Sequence, residues 1–197
     1  SVDVGRQQSS HIHGAVFSSD QKFALFPDLG ADKVRVYRFN ADNSKPLSKG
    51  ENYDVPTVPG SGPRHLTFYE NDAYLIDEMG GSVTAYTFNE GKLMQFQRIA
   101  AHKSKAENEY ESSDIHVSPD GKFLYASNRG DENNIAIFSR TPDGKLQHIA
   151  YQSVKGRHTR VFAIAPDGDF LITANTQSGN AVVFRRNKIT GLLKKTG

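Results

Sequence analysis

A polar hairpin turn flanked by apolar strands recurs four times along this chain at nearly constant spacing, and no other feature restricts the fold as much. Segments beginning near Gly14, His65, Asp114 and Val161 share one grammar: strand, polar turn, strand, Gly- or Asn-bearing loop, strand. The residues just before each first turn, Phe17, Phe68, Val117 and Ile164, lie 51, 49 and 47 residues apart. A period of about 40 to 50 residues belongs to repeat folds whose unit is one small sheet. Ser118-Pro119-Asp120-Gly121 and Ala165-Pro166-Asp167-Gly168 place Pro second and Gly fourth, the signature of a type I turn. The third strands, such as Ile135-Ala136-Ile137-Phe138 and Ala181-Val182-Val183-Phe184, are β-branched and aromatic, as half-buried strands are. Fourth strands follow at Tyr53-Asp54-Val55, Phe96-Gln97-Arg98-Ile99 and His148-Ile149-Ala150-Tyr151. Four antiparallel strands per repeat predict an all-β chain of β-propeller blades rather than an immunoglobulin-like sandwich.

Four such repeats fill the 197 residues. The expected organisation is one partial propeller over residues 1–197, a piece of a larger ring, with a closed four-bladed ring as the alternative. Gly191 to Gly197 supplies a turn and then stops, so the fourth blade is expected to lack its outer strand unless Val2 to Arg6 provides it. Open blade edges invite self-association or a complementing fragment. Lys103 to Asp114 reads as a solvated inter-blade loop. With 24 Lys and Arg against 22 Asp and Glu, and no polybasic block, the field needed to hold nucleic acid or an anionic membrane is missing. The chain has no Cys, which excludes disulfides, a thiolate nucleophile and Cys-based metal sites. The compartment stays open: the cytoplasm is the first expectation, the periplasm and secretion the alternatives.

Several segments then carry a resemblance. They are His11-Ile12-His13-Gly14 with Phe26-Pro27-Asp28-Leu29-Gly30-Ala31-Asp32; Gly62-Pro63-Arg64-His65-Leu66 with Glu78; Ile115-His116-Val117-Ser118-Pro119-Asp120-Gly121 with Ser127-Asn128-Arg129-Gly130; and Arg160-Val161-Phe162 with Ala174-Asn175. In this order and spacing the chain resembles the seven-bladed lactonase family, which includes propeller-type 6-phosphogluconolactonases and carboxymuconate cyclases. It departs from the family's usual wording at Ile12, at Thr159 and at Ser113-Asp114. The resemblance implies a hydrolase of sugar-acid lactones such as 6-phosphogluconolactone, with no cofactor and a small anionic substrate. A lactonising cycloisomerase is the alternative, and a noncatalytic interaction propeller is the reading from a different class.

The residues support that chemistry on their own terms. His13, Arg64 and Arg160 stand four residues before their anchors and His116 one before, while Asp28, Glu78, Asn128 with Arg129, and Asn175 with Gln177 follow the anchors by about ten. Equivalent positions in a ring share radius and height, so polar groups there are expected to converge. Lactone hydrolysis needs a base of near-neutral pKa, for which His13 or a desolvated Glu78 is suited, and donors for an oxyanion, which Arg64 and Arg129 supply. Asp28, His65, His116, Asn128, Arg160, Asn175 and Gln177 complete the expected substrate-binding set. Each residue has a structural competitor: a blade-junction hydrogen bond for His13, inter-blade ion pairs for Arg64 and Arg160, loop capping for Asp28, left-handed loop positions for Asn128 and Asn175. His11, His65 and His116 lack the spacing of a metal site.

Overall fold

The computed structural model describes residues 2–103 and 111–196, so most of the loop expected between Lys103 and Asp114 lies outside the described residues. Sixteen strands are described, and they form four antiparallel sheets, each a simple meander in chain order. Blade 1 contains β1 (Val16–Phe17), β2 (Phe23–Asp28), β3 (Lys33–Phe39) and β4 (Leu47–Pro56); blade 2 contains β5 (Pro63–Tyr69), β6 (Asp72–Asp77), β7 (Ser82–Asn89) and β8 (Lys92–Ala100). Blade 3 is built from β9 (Ser112–Val117), β10 (Phe123–Asn128), β11 (Asn134–Arg140) and β12 (Leu146–Ser153), and blade 4 from β13 (Thr159–Ile164), β14 (Phe170–Asn175), β15 (Asn180–Arg186) and β16 (Leu193–Lys195). The described helix is one 3-10 turn, Leu29–Ala31. The fold is therefore all-β, made of propeller blades.

The fourth blade corrects one expectation. Its outer strand is β16, which pairs with β15 from Phe184↔Lys195 to Arg186↔Leu193. Val2 to Arg6 instead forms a turn, closed by hydrogen bonds from the Val2 and Asp3 N–H groups to the Gln7 side chain. Three residues with one apolar position, Leu193, are too short to carry an alternating pattern, which is why the strand was not visible in the sequence.

The chain divides into two compact units, Ser1–Arg98 and Ile99–Gly197. Each has a core made where two blades pack face to face. In the first unit Phe23, Leu25, Val34 and Val36 of blade 1 meet Leu66, Ala73, Leu75, Tyr86 and Phe88 of blade 2. The second unit repeats the arrangement, with Phe123, Tyr125, Ile135 and Ile137 of blade 3 against Phe162, Leu171, Val182, Phe184 and Leu193 of blade 4. Gly91 and Gly191 mark the same point of each core. Both have positive φ, and a Cβ on either would press into the ring of Phe23 or Phe123 respectively, at 2.7 and 2.4 Å. Only glycine admits that approach. The anchors Phe17, Phe68, Val117 and Ile164 occupy equivalent places, each paired with the second residue of its blade's second strand.

Candidate active site

In every blade the pairing of the first two strands slips by one residue at the same point. The bridge Ile12↔Asp28 is out of step with Val16↔Leu25, and the register shifts between Pro63 and His65, within Ser112 to Ile115 opposite Ala126 to Asn128, and between Thr159 and Val161. Such bulges insert one residue, kink the strand and re-aim a side chain. The inserted positions correspond to His13, Arg64, Ser113 and Arg160, so three of the four residues singled out by spacing stand at bulges. His116, three residues beyond its bulge, is instead placed against Asp114, 3.2 Å from its Oδ2, and edge-on to the Phe162 ring.

The ends of the second strands correct the alignment of the second ring. Asp28, Asp77, Asn128 and Asn175 each pair with the first residue of the third strand and are all buried. The residue after each donates its N–H to the carbonyl just before or near the first strand: Leu29 to His11, Glu78 to Gly62, Arg129 to Glu111, Thr176 to His158. The equivalent of Asp28, Asn128 and Asn175 is thus Asp77, and Glu78 matches Arg129. Counting from the anchors hid this because the Phe68↔Ala73 pair encloses residues 69–72, two fewer than the anchor pairs of the other blades enclose. Those Asx side chains knit their loops. Asn128 accepts from Ser112 Oγ at 2.9 Å and donates to the Ala101 carbonyl at 2.7 Å; Asn175 binds Thr159 Oγ1 and Asn180.

In the first unit Arg64 and Glu78 are 2% and 4% exposed. Arg64 Nε lies 2.6 Å from Glu78 Oε2, and the Arg6 guanidinium pairs with the other carboxylate oxygen, Oε1. One carboxylate therefore holds two guanidiniums. Arg64 Nη1 also lies 3.0 Å from His65 Nε2, and since a guanidinium only donates, that ring nitrogen accepts. His13 is half-buried, and its Nδ1 is 3.0 Å from the His11 carbonyl. A carbonyl only accepts, so Nδ1 carries the proton in the neutral ring and the Nε2 lone pair remains for chemistry. Gly14 keeps this segment against blade 2: a Cβ there would come 3.2 Å from the Arg64 carbonyl and 3.5 Å from the His65 ring. Asp32 fixes the approach to Arg64 by accepting the N–H groups of Gly60 and Gly62 at 2.7 and 3.0 Å.

Asp28 has the capping role. It is fully buried and accepts from Ser10 Oγ, the N–H groups of His11 and Ala31, and Arg35 Nε and Nη2. Burial alone would raise its pKa, but these hydrogen bonds and the Arg35 charge outweigh burial and hold it below the ordinary carboxylate value. Asp77 shows the opposite balance. Desolvation dominates and pushes it up to about 6, with Ser82 at 2.8 Å and Arg98 at 3.4 Å only partly compensating. Its Oδ1 is buried without a hydrogen-bond partner. The residue opposite it is Pro63, where blades 3 and 4 offer the hydroxyls of Ser112 and Thr159.

The second unit holds Arg129, 6% exposed, by different means. Its Nη1 lies 3.3 Å from His158 Nε2 and its Nη2 donates to the Ser112 carbonyl at 3.4 Å. The Glu111 carboxylate is 3.9 Å from His158 Nδ1, and the Gln177 amide is 3.5 Å from the same nitrogen. Arg160 is exposed. Arg6 and His158 were missed in the sequence. Arg6 precedes the first repeat and has no equivalent; His158 stands immediately before β13, the position of Glu111 before β9, a correspondence that only the paired strands make visible. Among the described residues no group of three or more His, Asp or Glu side chains suits a metal ion, and no helix is long and apolar enough to cross a membrane. A pocket of about 180 Å³, lined by Phe23, Val36, Arg38, Glu90 and Lys92 among others, contains none of the candidate residues.

Blades 2 and 4 carry an arginine on the first-strand bulge and blades 2 and 3 a charged residue after the Asx of the second strand, which defines the class as propeller blades with polar, arginine-bearing ends. The family description "Lactonase, 7-bladed beta-propeller" matches residues 1–197. The chain belongs to that seven-bladed β-propeller lactonase family. It is 43% identical over 195 residues to a 6-phosphogluconolactonase of Formosa agariphila, covering 97% of this chain and 55% of that protein. A 6-phosphogluconolactonase of Bacillus subtilis is 33% identical over 193 residues, covering 95% and 54%. Among solved structures, the periplasmic gluconolactonase of Pseudomonas aeruginosa superposes with a TM-score of 0.92 at 38% identity, covering 97% of this chain and 54% of that one. A protein from Lactobacillus plantarum gives 0.89 at 30% identity, covering 97% and 55%. The chain thus spans about half the length of the relatives it matches.

Proposed function

We propose that this chain belongs to an enzyme that hydrolyses a sugar-acid lactone, with 6-phosphogluconolactone as the substrate class. The observation that carries the reading is the Arg64–Glu78 pair, a buried guanidinium fixed by a buried carboxylate at a first-strand bulge. The names of the two curated relatives, both 6-phosphogluconolactonases, support it. His13 Nε2 takes a proton from water, whose oxygen adds to the lactone carbonyl carbon. The negative charge that develops on the carbonyl oxygen is met by Arg64, a preorganised donor that needs no rearrangement as the charge appears. The ring C–O bond then breaks, the alkoxide takes the proton back from the imidazolium, and the open-chain acid leaves.

In this scheme Glu78 holds Arg64 and Arg6 in place, while His13 moves the proton. Arg129 supplies a second cation for an anionic group, matching the preference of guanidinium for carboxylate and phosphate. Asn128 and Asn175 maintain loop geometry. The test is hydrolysis of 6-phosphogluconolactone above its spontaneous background. Arg64→Ala should lower the rate by about 10² to 10³, and His13→Asn should lower turnover more than binding. A parent protein that leaves the spontaneous rate unchanged would overturn the reading.

A further inference from the structure

The second unit contains a histidine outside the expected site whose contacts explain how Arg129 is held. We propose that His158 is a positioning residue for Arg129, accepting a guanidinium hydrogen bond at Nε2 and so fixing the cation that the proposed lactonase presents to an anionic group; the functional part of this inference rests on that reading. A neutral imidazole has two nitrogens and one proton. The Arg129 contact at 3.3 Å takes the lone pair of Nε2, so the proton lies on Nδ1. There it faces the Glu111 carboxylate at 3.9 Å; Gln177 Nε2 lies 3.5 Å from the same nitrogen, and for the amide to accept from Nδ1–H its nitrogen and oxygen must exchange places, a flip that leaves the shape of the side chain unchanged.

The backbone fixes this ring from both sides. The His158 N–H donates to Asn133 Oδ1 at 2.6 Å, and its carbonyl accepts from the N–H and the hydroxyl of Thr176. His158 has a φ of +62°, a left-handed conformation uncommon for a non-glycine residue, which these three bonds hold in place. The residue before β13 is thus fixed where its ring meets Arg129. In the first unit Arg64 has the same kind of imidazole contact from His65, together with the Glu78 carboxylate. When a histidine gains a proton it can no longer accept, and it faces the guanidinium as a second cation. Among the described residues the charged groups facing His158 are Arg129, which repels that charge, and Glu111, which attracts it, so a protonated ring turns toward Glu111 and lets Arg129 go.

Two measurements on the whole chain test this. The ring ¹⁵N shifts of His158, identified by their disappearance in His158→Gln, should report a protonated Nδ1 and an accepting Nε2 at about pH 7.5, and should move in Arg129→Lys. The commoner Nε2–H tautomer, or shifts indifferent to Arg129→Lys, would overturn the proposal. In lactone hydrolysis His158→Ala should lower kcat/KM about tenfold, the effect of losing one hydrogen bond to a charged group, and mainly through KM. His158→Gln, whose amide oxygen accepts at any pH, should restore most of it. Between about pH 7.5 and 5.5 the parent should weaken relative to the Gln variant, because an imidazole can gain a proton there and an amide cannot. Equal activity of His158→Ala and parent, or a folded His158→Gln no better than His158→Ala, would contradict it. If the parent shows no hydrolysis, the lactonase reading fails and the ring shifts alone decide the His158–Arg129 contact.

Discussion

The two units are built alike and charged differently. Each packs two four-stranded blades through one core, seats a glycine on a phenylalanine ring, and sets an inserted residue in each first strand. Yet the residues after the second-strand Asx are Leu29 and Glu78 in the first unit and Arg129 and Thr176 in the second, and the first unit ends β2 and β6 with Asp28 and Asp77 where the second ends β10 and β14 with Asn128 and Asn175. The backbone positions are shared, and only the side chains carry the difference. Blade architecture is thus set by strand and turn patterning, and the chemistry is a choice made at a few fixed positions.

The strongest way to break the structural half of this comparison is to empty the matched cores. Phe23→Ala and Phe123→Ala should each cost about 3 to 5 kcal/mol in chemical denaturation, the usual range for a buried Phe. Unequal costs, with one below about 1 kcal/mol, would show that the cores are not equivalent.

The arginines should separate the units. Arg64→Ala leaves Glu78 buried beside a lost partner and should destabilise by about 3 to 5 kcal/mol, as breaking a buried ion pair does. The described contacts of Arg129, to an imidazole and a carbonyl, are together worth about 1 to 3 kcal/mol, which sets the least that Arg129→Ala should cost. Adding Glu78→Gln to Arg64→Ala should recover part of the first loss, measured in the same denaturation series, and no recovery would count against the pair.

Asp28 and Asp77 sharpen the comparison through pH. Asp77 has a folded pKa of about 6, above its ordinary 3.8, so the folded state keeps that proton more tightly than the unfolded chain. Its contribution is full below about pH 3.8 and is lost as pH rises through about 6, a change on the order of 3 kcal/mol. Asp77→Asn installs the residue the second unit uses. It should flatten that pH dependence and stabilise the protein at neutral pH. Asp28 has its folded pKa lowered, so its contribution is present above the ordinary carboxylate value and lost on acidification. Asp28→Asn should therefore destabilise at neutral pH, by about 1 to 3 kcal/mol. Stability against pH for the two variants, measured between about pH 3.5 and 7.5, should slope in opposite senses relative to the parent.

Much of this was legible in the sequence, for definite reasons. Turn residues such as Pro119-Asp120-Gly121 and the apolar third strands announce themselves through local chemistry, so the repeat and the blade follow from them. His13, Arg64 and Arg160 were found because the bulge preserves their distance from the anchors. Spacing aligned Glu78 with Asp28, Asn128 and Asn175 rather than with Arg129 alone, because a shortened hairpin changes the count while leaving the pairing intact. Arg6 and His158 were invisible because their roles arise from partners 72 and 29 residues away, Glu78 and Arg129.

The division of labour in the first unit, with His13 moving the proton and Glu78 holding the arginines, is tested most directly by the pH dependence of lactone hydrolysis in Glu78→Gln and His13→Asn. The account predicts that Glu78→Gln keeps the parent's pH profile while KM rises, and that His13→Asn lowers kcat and loses the acid limb that a protonatable base imposes. A flattened profile in Glu78→Gln with an unchanged one in His13→Asn would contradict it and make the carboxylate the base.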